Sequence, residues 1–172
     1  ILVWAVLAYN GLVQLRVRGY GAWSDIGVQL KRRYDLIPNL IETVKGYAAH
    51  EQRVFTQVTE ARSRAMQAGG PKDKEAAEGA LAGALKSLFA VAEQYPQLRA
   101  NENFMGLQQS LTQVEESLQS SRRYYNAVVR DYNTNRAVFP DRLIAQAAGF
   151  QAKDFFQLDS AEEAKTPKVS FS

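Results

Sequence analysis

One stretch of the chain decides the fold, residues 104–139, which read FMGLQQSLTQVEESLQSSRRYYNAVVRDYNTNRAVF. A mostly apolar series runs through it in alternating steps of three and four residues. The members of this seam are Phe104, Leu107, Leu111, Val114, Leu118, Ser121, Tyr125, Val128, Tyr132, Asn135 and Phe139. Such spacing places the series along one narrow face of an α-helix, which only another helix can cover. The stretch therefore predicts a long helix packed in a bundle.

A second seam with the same spacing lies upstream and includes two charged residues. Its members are Leu30, Tyr34, Ile37, Ile41, Val44, Ala48, Glu51, Phe55, Val58, Arg62 and Ala65. We predict a second long helix here, beginning near residue 22. Pro38 lies within it, and because proline lacks a backbone N–H, the helix should kink or restart there, with Asp35 suited to cap the restart.

Shorter elements complete the predicted fold. The same apolar spacing recurs from Leu81 to Tyr95 and predicts a middle helix bounded by Gly69-Gly70-Pro71 before it and Pro96 after it. Residues 141–148 predict a short helix that ends at Gly149. No stretch alternates as a strand does. We therefore predict an all-α, antiparallel, up-and-down bundle of about four helices, two of them long. The bundle domain is placed at residues 17–150, followed at 151–172 by an irregular tail that docks on it.

The N-terminal segment is apolar from Ile1 to Tyr9, and arginines follow at positions 16 and 18. A spanning helix needs roughly 20 apolar residues, so we interpret residues 1–16 as the C-terminal part of a transmembrane anchor that begins upstream. An amphipathic first helix, or a signal peptide cleaved after Val6-Leu7-Ala8, would account for the same run. Positive charge after the run predicts a single-pass protein with its bundle on the cytoplasmic side.

The amino-acid composition limits the functions that this chain can have. Hydrophobic residues make up 46% and charged residues 23%, which is typical of a folded domain. The 21 basic residues are nearly balanced by 18 acidic ones, so we expect no nucleic-acid partner. There is no cysteine, and the single histidine, His50, lacks the second histidine that zinc-peptidase or di-iron motifs require. We predict no catalytic, cofactor or metal residues, and no enzyme.

Two sets of polar residues nevertheless merit attention. The first consists of charged residues in or beside the seams: Glu51, Arg62, Glu115 and Arg122. They either pair at an exposed end of the bundle or meet in one buried network that fixes helix register. The second set flanks the long seam and offers candidate contacts to a protein partner: Tyr124, Asn126, Arg130 and Asn133. The alternative for this set is hydrogen bonding inside the bundle.

Several motifs together resemble one family. They are Tyr9-Asn10, Ala22-Trp23-Ser24-Asp25, Gln29-Leu30-Lys31-Arg32-Arg33, Asp35-Leu36-Ile37-Pro38-Asn39-Leu40, His50-Glu51, Glu93-Gln94-Tyr95-Pro96, Arg123-Tyr124-Tyr125-Asn126, Asp131-Tyr132-Asn133, Phe139-Pro140 and Phe155-Phe156. In order and spacing the chain resembles the LemA family. The resemblance implies a protein of the bacterial inner membrane, with one transmembrane helix longer than the apolar run seen here and a helical-bundle domain. It implies no established biochemical activity.

From these observations we expect a non-enzymatic scaffold or adaptor, tethered to the lipid bilayer by its N-terminal helix. It would act through contacts with unidentified protein partners and would self-associate as a homo-oligomer. Two alternatives stay open. One is a metal- or ligand-dependent sensor in which His50, Glu51 and Glu115 converge. The other is a regulatory partner of a membrane peptidase or envelope-stress system.

Overall fold

A computed structural model describes residues 2–157 as six α-helices and no strand. The helices are α1 (Leu2–Lys45), α2 (Gln52–Gln67), α3 (Gly70–Glu93), α4 (Pro96–Arg99), α5 (Glu102–Ala137) and α6 (Asp141–Ala147). The all-α prediction is confirmed, but the number of helices is six, not about four. The upstream seam is divided between α1 and α2, and the four-residue helix α4 was not predicted. The part of the predicted docking tail beyond Gln157 lies outside the described residues.

The centre of the molecule is an antiparallel pair formed by α1 and α5, which have 44 and 36 residues. Contacts at three successive levels along this pair join Leu12 with Tyr132, Trp23 with Tyr125, and Arg33 with Glu115. The start of α1 therefore lies at the same end of the molecule as the end of α5. We call this end the base.

Helices α2 and α3 pack against the half of the pair that is farthest from the base. Every apolar member of the upstream seam is buried, as predicted. The prediction of one continuous helix along that seam is wrong, because α1 ends at Lys45 and α2 begins at Gln52. Ala48, in the connection, is only 1% exposed. The turn keeps the seam in phase, so the spacing alone does not show that the chain reverses direction.

Pro38 lies inside α1, so of the two outcomes predicted there, a kink or a restart, the restart does not occur. Proline cannot donate to the carbonyl four residues earlier, which is that of Tyr34. Arg62 of α2 supplies the missing donor, since its Nε lies 2.8 Å from the Tyr34 carbonyl oxygen. Asp35 pairs with Lys31 one turn earlier instead of capping a helix. A neighbouring helix therefore satisfies the group that proline leaves unpaired, and α1 continues.

The ends of the other helices follow their sequence signals. The side chain of Asn101 caps α5 by accepting from Phe104 N at 3.0 Å. After α6, Gly149 adopts a φ of 71°, and Phe150 N donates to Ala145 O, which is the Schellman arrangement of a helix C-terminus. The middle helix lies where it was predicted, and Pro96 begins α4. One seam member is misplaced: α5 ends at Ala137, and Phe139 is 80% exposed.

The first turns of α1 are part of the same continuous helix as the bundle. Ala8 and Leu12 are buried, and Leu12 packs in a small cluster with Tyr132, Ala145 and Phe150. Within residues 2–157, no helix combines the length and the apolar character needed to cross a bilayer. At Ala8 and Leu12, α1 is thus covered by the protein itself.

Candidate functional site

The most specialised feature of the described chain is a groove along α1 and α5 that holds residues 150–157 in an extended conformation. Asn126 donates from Nδ2 to the carbonyl oxygen of Phe156 and accepts at Oδ1 from its N–H, both at 2.9 Å. Asn133 makes the same pair of bonds with Lys153, at 2.9 and 3.0 Å. A side-chain amide carries the same donor and acceptor as a peptide group. Each asparagine therefore binds the segment as a neighbouring β-strand would.

Two tyrosines extend this pattern along α5. The Tyr125 hydroxyl donates to the carbonyl oxygen of Asp154, and the Tyr132 hydroxyl to that of Gln151, each at 2.9 Å. The Tyr125-Asn126 pair recurs seven residues later as Tyr132-Asn133. Seven residues are close to two helical turns, so both pairs lie on one face of α5. We call these four residues the tyrosine–asparagine ladder.

Aromatic side chains anchor both ends of the held segment. Phe156 is fully buried, and the Trp23 ring meets it edge-on with centroids 5.3 Å apart. At the other end Phe150 is buried, with the Arg16 guanidinium 5.1 Å from the centre of its ring. The aromatic anchors and the ladder act on different parts of the segment. The anchors recognise side chains, whereas the ladder recognises only main-chain atoms.

Burial also affects the pKa values of the two ladder tyrosines. It raises the pKa of the Tyr125 hydroxyl, and the neighbouring carboxylate of Asp154 acts in the same direction. Burial likewise raises the pKa of the Tyr132 hydroxyl, although Arg16 opposes this shift. Both hydroxyls therefore keep their protons and act as hydrogen-bond donors at physiological pH.

A second polar feature joins α1, α3 and α5 in the interior. Glu78 is fully buried and accepts from Arg33 Nη1 at 2.8 Å and from the Tyr34 hydroxyl. Arg33 Nε also lies 2.8 Å from Glu115 Oε1, a charge contact that is not aligned as a hydrogen bond. Burial and the bond to Glu78 raise the pKa of the Tyr34 hydroxyl. Because removing one partner of a buried ion pair typically costs about 3–5 kcal/mol, this network fixes the three helices at one level.

For the charged seam residues, we left open an exposed pairing and a single buried network, and the buried network is only partly present. Glu115 belongs to the interior network, and Arg62 binds the Tyr34 carbonyl beside it. Glu51 instead precedes α2 and makes no side-chain capping bond. Arg122 is half-buried on α5.

The sequence analysis did not identify Arg33 and Glu78, the two central members of the interior network. Glu78 lies three residues before Leu81 and so continues the spacing of the middle helix, which was a usable signal. Arg33 was identified only as the last residue of the motif Gln29-Leu30-Lys31-Arg32-Arg33. Arg33 lies three residues after Leu30 and four before Ile37, so the same kind of signal distinguished it from its exposed neighbour Arg32.

The candidate partner contacts divide into two groups. Asn126 and Asn133 bind the chain's own segment, as the alternative interpretation had it. Tyr124 is 56% exposed, and Arg130 is exposed beside Asp131. Only these last two residues of the set face outward from α5.

The residues proposed for a sensor do not converge. His50 is exposed on the connection between α1 and α2, whereas Glu115 pairs with Arg33. Arg33 lies 12 residues before the end of α1, which corresponds to roughly 18 Å along the helix. Among residues 2–157, no group of three or more histidine, aspartate or glutamate side chains is arranged to hold a metal ion.

These features define a class of protein: an all-helical bundle built on a long antiparallel helix pair, with an apolar helix start at its base and an extended segment clasped along its side. A sequence model of the LemA family matches residues 22–171, and the chain belongs to the LemA family. The resemblance seen in the sequence motifs is thus confirmed. The family is not known as a family of enzymes.

Three bacterial relatives illustrate the range of the similarity. Magnetosome protein MamQ 2 of Paramagnetospirillum magneticum is 25% identical over 178 residues, which cover 88% of this chain and 65% of the relative. Magnetosome protein MamQ of Magnetospirillum gryphiswaldense is 24% identical, over 95% of this chain and 71% of the relative. Protein LemA of Metamycoplasma hominis is 24% identical, over 80% of this chain and 66% of the relative. The chain thus spans just under two thirds of the length of the first of these relatives.

Proposed function

We propose that this protein is a non-enzymatic scaffold or adaptor, tethered to the bacterial inner membrane by a single N-terminal helix and acting through protein–protein contacts. The observation that carries the proposal is the continuity of α1, which runs without a break from an apolar start into the packed bundle. A helix that enters the bilayer at one end and forms the core of the bundle at the other fixes the bundle relative to the membrane.

The start of α1 supports the tether. Leu2, Val3, Val6 and Leu7 are between 52% and 81% exposed. Fully burying one such side chain contributes about 1.5–3 kcal/mol, so four together favour a lipid environment strongly. Basic residues follow this segment, which supports a cytoplasmic bundle by the positive-inside rule.

The groove supports the role in protein contacts. Its ladder binds main-chain atoms, so it holds an extended segment with little dependence on that segment's side chains. Extended peptides are recognised in this way when they add to the edge of a sheet. Tethering in one membrane also raises the local concentration of copies, which favours self-association. The outward-facing Tyr124 and Arg130 extend the available surface along α5.

Topology is tested on the full-length protein, including any residues upstream of Ile1, with a reporter fused after Ser172. We expect a fluorescent-protein fusion to fluoresce and an alkaline phosphatase fusion to be inactive, since phosphatase folds only outside the cytoplasm. Washing membranes with alkaline carbonate should leave the protein in the pellet. Active phosphatase would overturn the cytoplasmic placement, and release by carbonate would overturn the tether.

The scaffold role is tested by photocrosslinking in native membranes. A photoreactive amino acid is placed at Tyr124, and a matched control carries it at Leu118, which is 1% exposed on the same helix. We expect adducts of defined mass from Tyr124, including a dimer of this protein, and none with other chains from Leu118. Exclusively monomeric protein at Tyr124, together with a monomer mass by light scattering in detergent, would contradict self-association.

A further inference from the structure

The base of the molecule carries a second exposed apolar surface besides the start of α1. Val138, Phe139 and Leu143, on and after the connection between α5 and α6, are 46%, 80% and 54% exposed. We call these three residues the basal patch. Burying such a group of apolar side chains against another surface is favourable, so the basal patch is a candidate contact surface.

The basal patch is held next to the apolar start of α1. Trp4 donates from its indole nitrogen to Asp141 Oδ1 at 3.1 Å, across the gap between the first turn of α1 and the first turn of α6. Further along α6, Ala145 is buried with Leu12. The patch is therefore close in space to the exposed apolar side chains at the start of α1. The packing of α6 on α1 holds it there.

The chemistry around the patch matches the surface of a bilayer. Arg142 is exposed on α6 and Arg136 is half-buried at the end of α5, so basic side chains flank the apolar ones. Trp4 adds an aromatic ring with a polar edge, which is characteristic of the headgroup region. Amphipathic segments of this composition lie in the interface, with apolar side chains about 5–10 Å below the headgroups.

We propose that the basal patch is a second membrane contact, in which Val138, Phe139 and Leu143 insert into the headgroup–acyl boundary of the bilayer that α1 enters. Arg142 then lies at the level of the lipid phosphates. The occupant of the patch is the bilayer, and this inference rests on the tether proposed above. Two contacts, one through α1 and one through α6, fix the tilt of the bundle, which a single helix does not.

The absence of cysteine from the chain makes the test direct. Full-length protein is reconstituted in vesicles of phosphatidylethanolamine and phosphatidylglycerol, and single-cysteine variants are labelled with an environment-sensitive dye. Phe139→Cys and Leu143→Cys report on the patch, and Val6→Cys reports on the tether. Met105→Cys is the control, because Met105 is 47% exposed and lies roughly 48 Å along α5 from Ala137.

We expect labels at positions 6, 139 and 143 to shift to the blue and to be quenched by lipids carrying a quencher near the headgroup. The label at 105 should show neither effect. Quenching at 6 but not at 139 or 143 overturns the second contact and leaves the tether intact, whereas quenching at none of these positions overturns both. A blue shift at 139 that depends on protein density and not on lipid quencher assigns the patch to a second copy and also overturns the inference.

A variant tests the contact without a label in the patch. Phe139→Gln with Leu143→Gln removes the apolar groups from positions that the protein leaves exposed, so folding should be preserved. We expect the dye at Val6→Cys to remain quenched, while the polarised fluorescence of a label at Met105→Cys decays faster as the bundle moves more freely. Unchanged decay would contradict an orienting role.

Discussion

Asn126 offers the sharpest test of the groove, because one side chain supplies both bonds to the main chain of Phe156. Replacing it by leucine keeps a similar volume and removes the donor and the acceptor together. Each hydrogen bond contributes about 1 kcal/mol net, and each half-buried group left without a partner costs about 1–3 kcal/mol. If the segment stayed docked, the variant would lose about 2–6 kcal/mol.

That loss is comparable to or larger than the contribution of the Phe156 side chain over most of its range, since burying one phenylalanine is worth about 1.5–3 kcal/mol. We therefore expect the end of the segment, residues 154–157, to loosen locally in Asn126→Leu, while Asn133 keeps its bonds to Lys153 and the bundle stays folded. The anchor at Phe150 belongs to a separate cluster with Leu12 and Tyr132 and should remain in place.

The assay is amide hydrogen exchange across the segment, supported by trypsin cleavage after Lys153. A loss of about 2 kcal/mol corresponds to roughly 30-fold faster exchange. Asn126→Asp keeps the acceptor and loses the donor, so its effect should be intermediate. Asn103→Leu, at an exposed position in the first turn of α5, is the control. If Asn126→Leu exchanges no faster than this control, or if the core of the bundle loses protection along with the segment, the reasoning fails.

Further predictions concern stability. Arg62→Met should cost about 2 kcal/mol, because the carbonyl four residues before Pro38 loses a charged donor. In a Pro38→Ala background the restored N–H serves that carbonyl, so the same change should cost less than about 1 kcal/mol; equal costs in urea unfolding would refute the pairing. Gly149→Ala places a side chain at a φ of 71° and should lose about 1–2 kcal/mol, whereas Gly106→Ala, inside α5, should gain up to about 1 kcal/mol in thermal unfolding. Burial raises the pKa of Glu115, so the folded state holds this proton more tightly than the unfolded state does. The stability of the natural chain relative to Glu115→Gln should therefore fall as pH rises from the usual carboxyl pKa through the raised one; a difference that is constant or grows over this window would contradict the shift.

Local signals predicted the helical elements well where the physics that sets them is local. The end of α6 follows from Gly149 because only a residue tolerant of positive φ completes that cap. The start of α3 follows from Gly70 and Pro71 for a similar reason. Phe139 was misplaced because a seam member is buried only while the helix lasts, and α5 ends two residues earlier.

The sequence predicted less of the candidate functional site than of the helices. Asn126 and Asn133 were identified as unusual, but their partners are main-chain atoms 20 to 30 residues away, and a main chain has no sequence signature. Glu78 and Arg33 are 45 residues apart, and their pairing exists only when α1, α3 and α5 assemble. A charge in phase with a seam indicates that a partner is needed without indicating which residue provides it.

The sequence by itself determined that this chain forms long amphipathic helices that must pack on one another, because heptad spacing is a property of neighbouring residues on one helix. Its motifs also determined membership of the LemA family. Only the tertiary structure decided that α1 passes through Pro38, that the chain reverses at residues 46–51, and that the ladder clasps residues 150–157. The first and the last of these depend on a group that another segment supplies. The Arg62 guanidinium donates to the Tyr34 carbonyl, and the Asn126 and Asn133 amides bond to the main chain of residues 150–157. Such partners are chosen by packing in three dimensions.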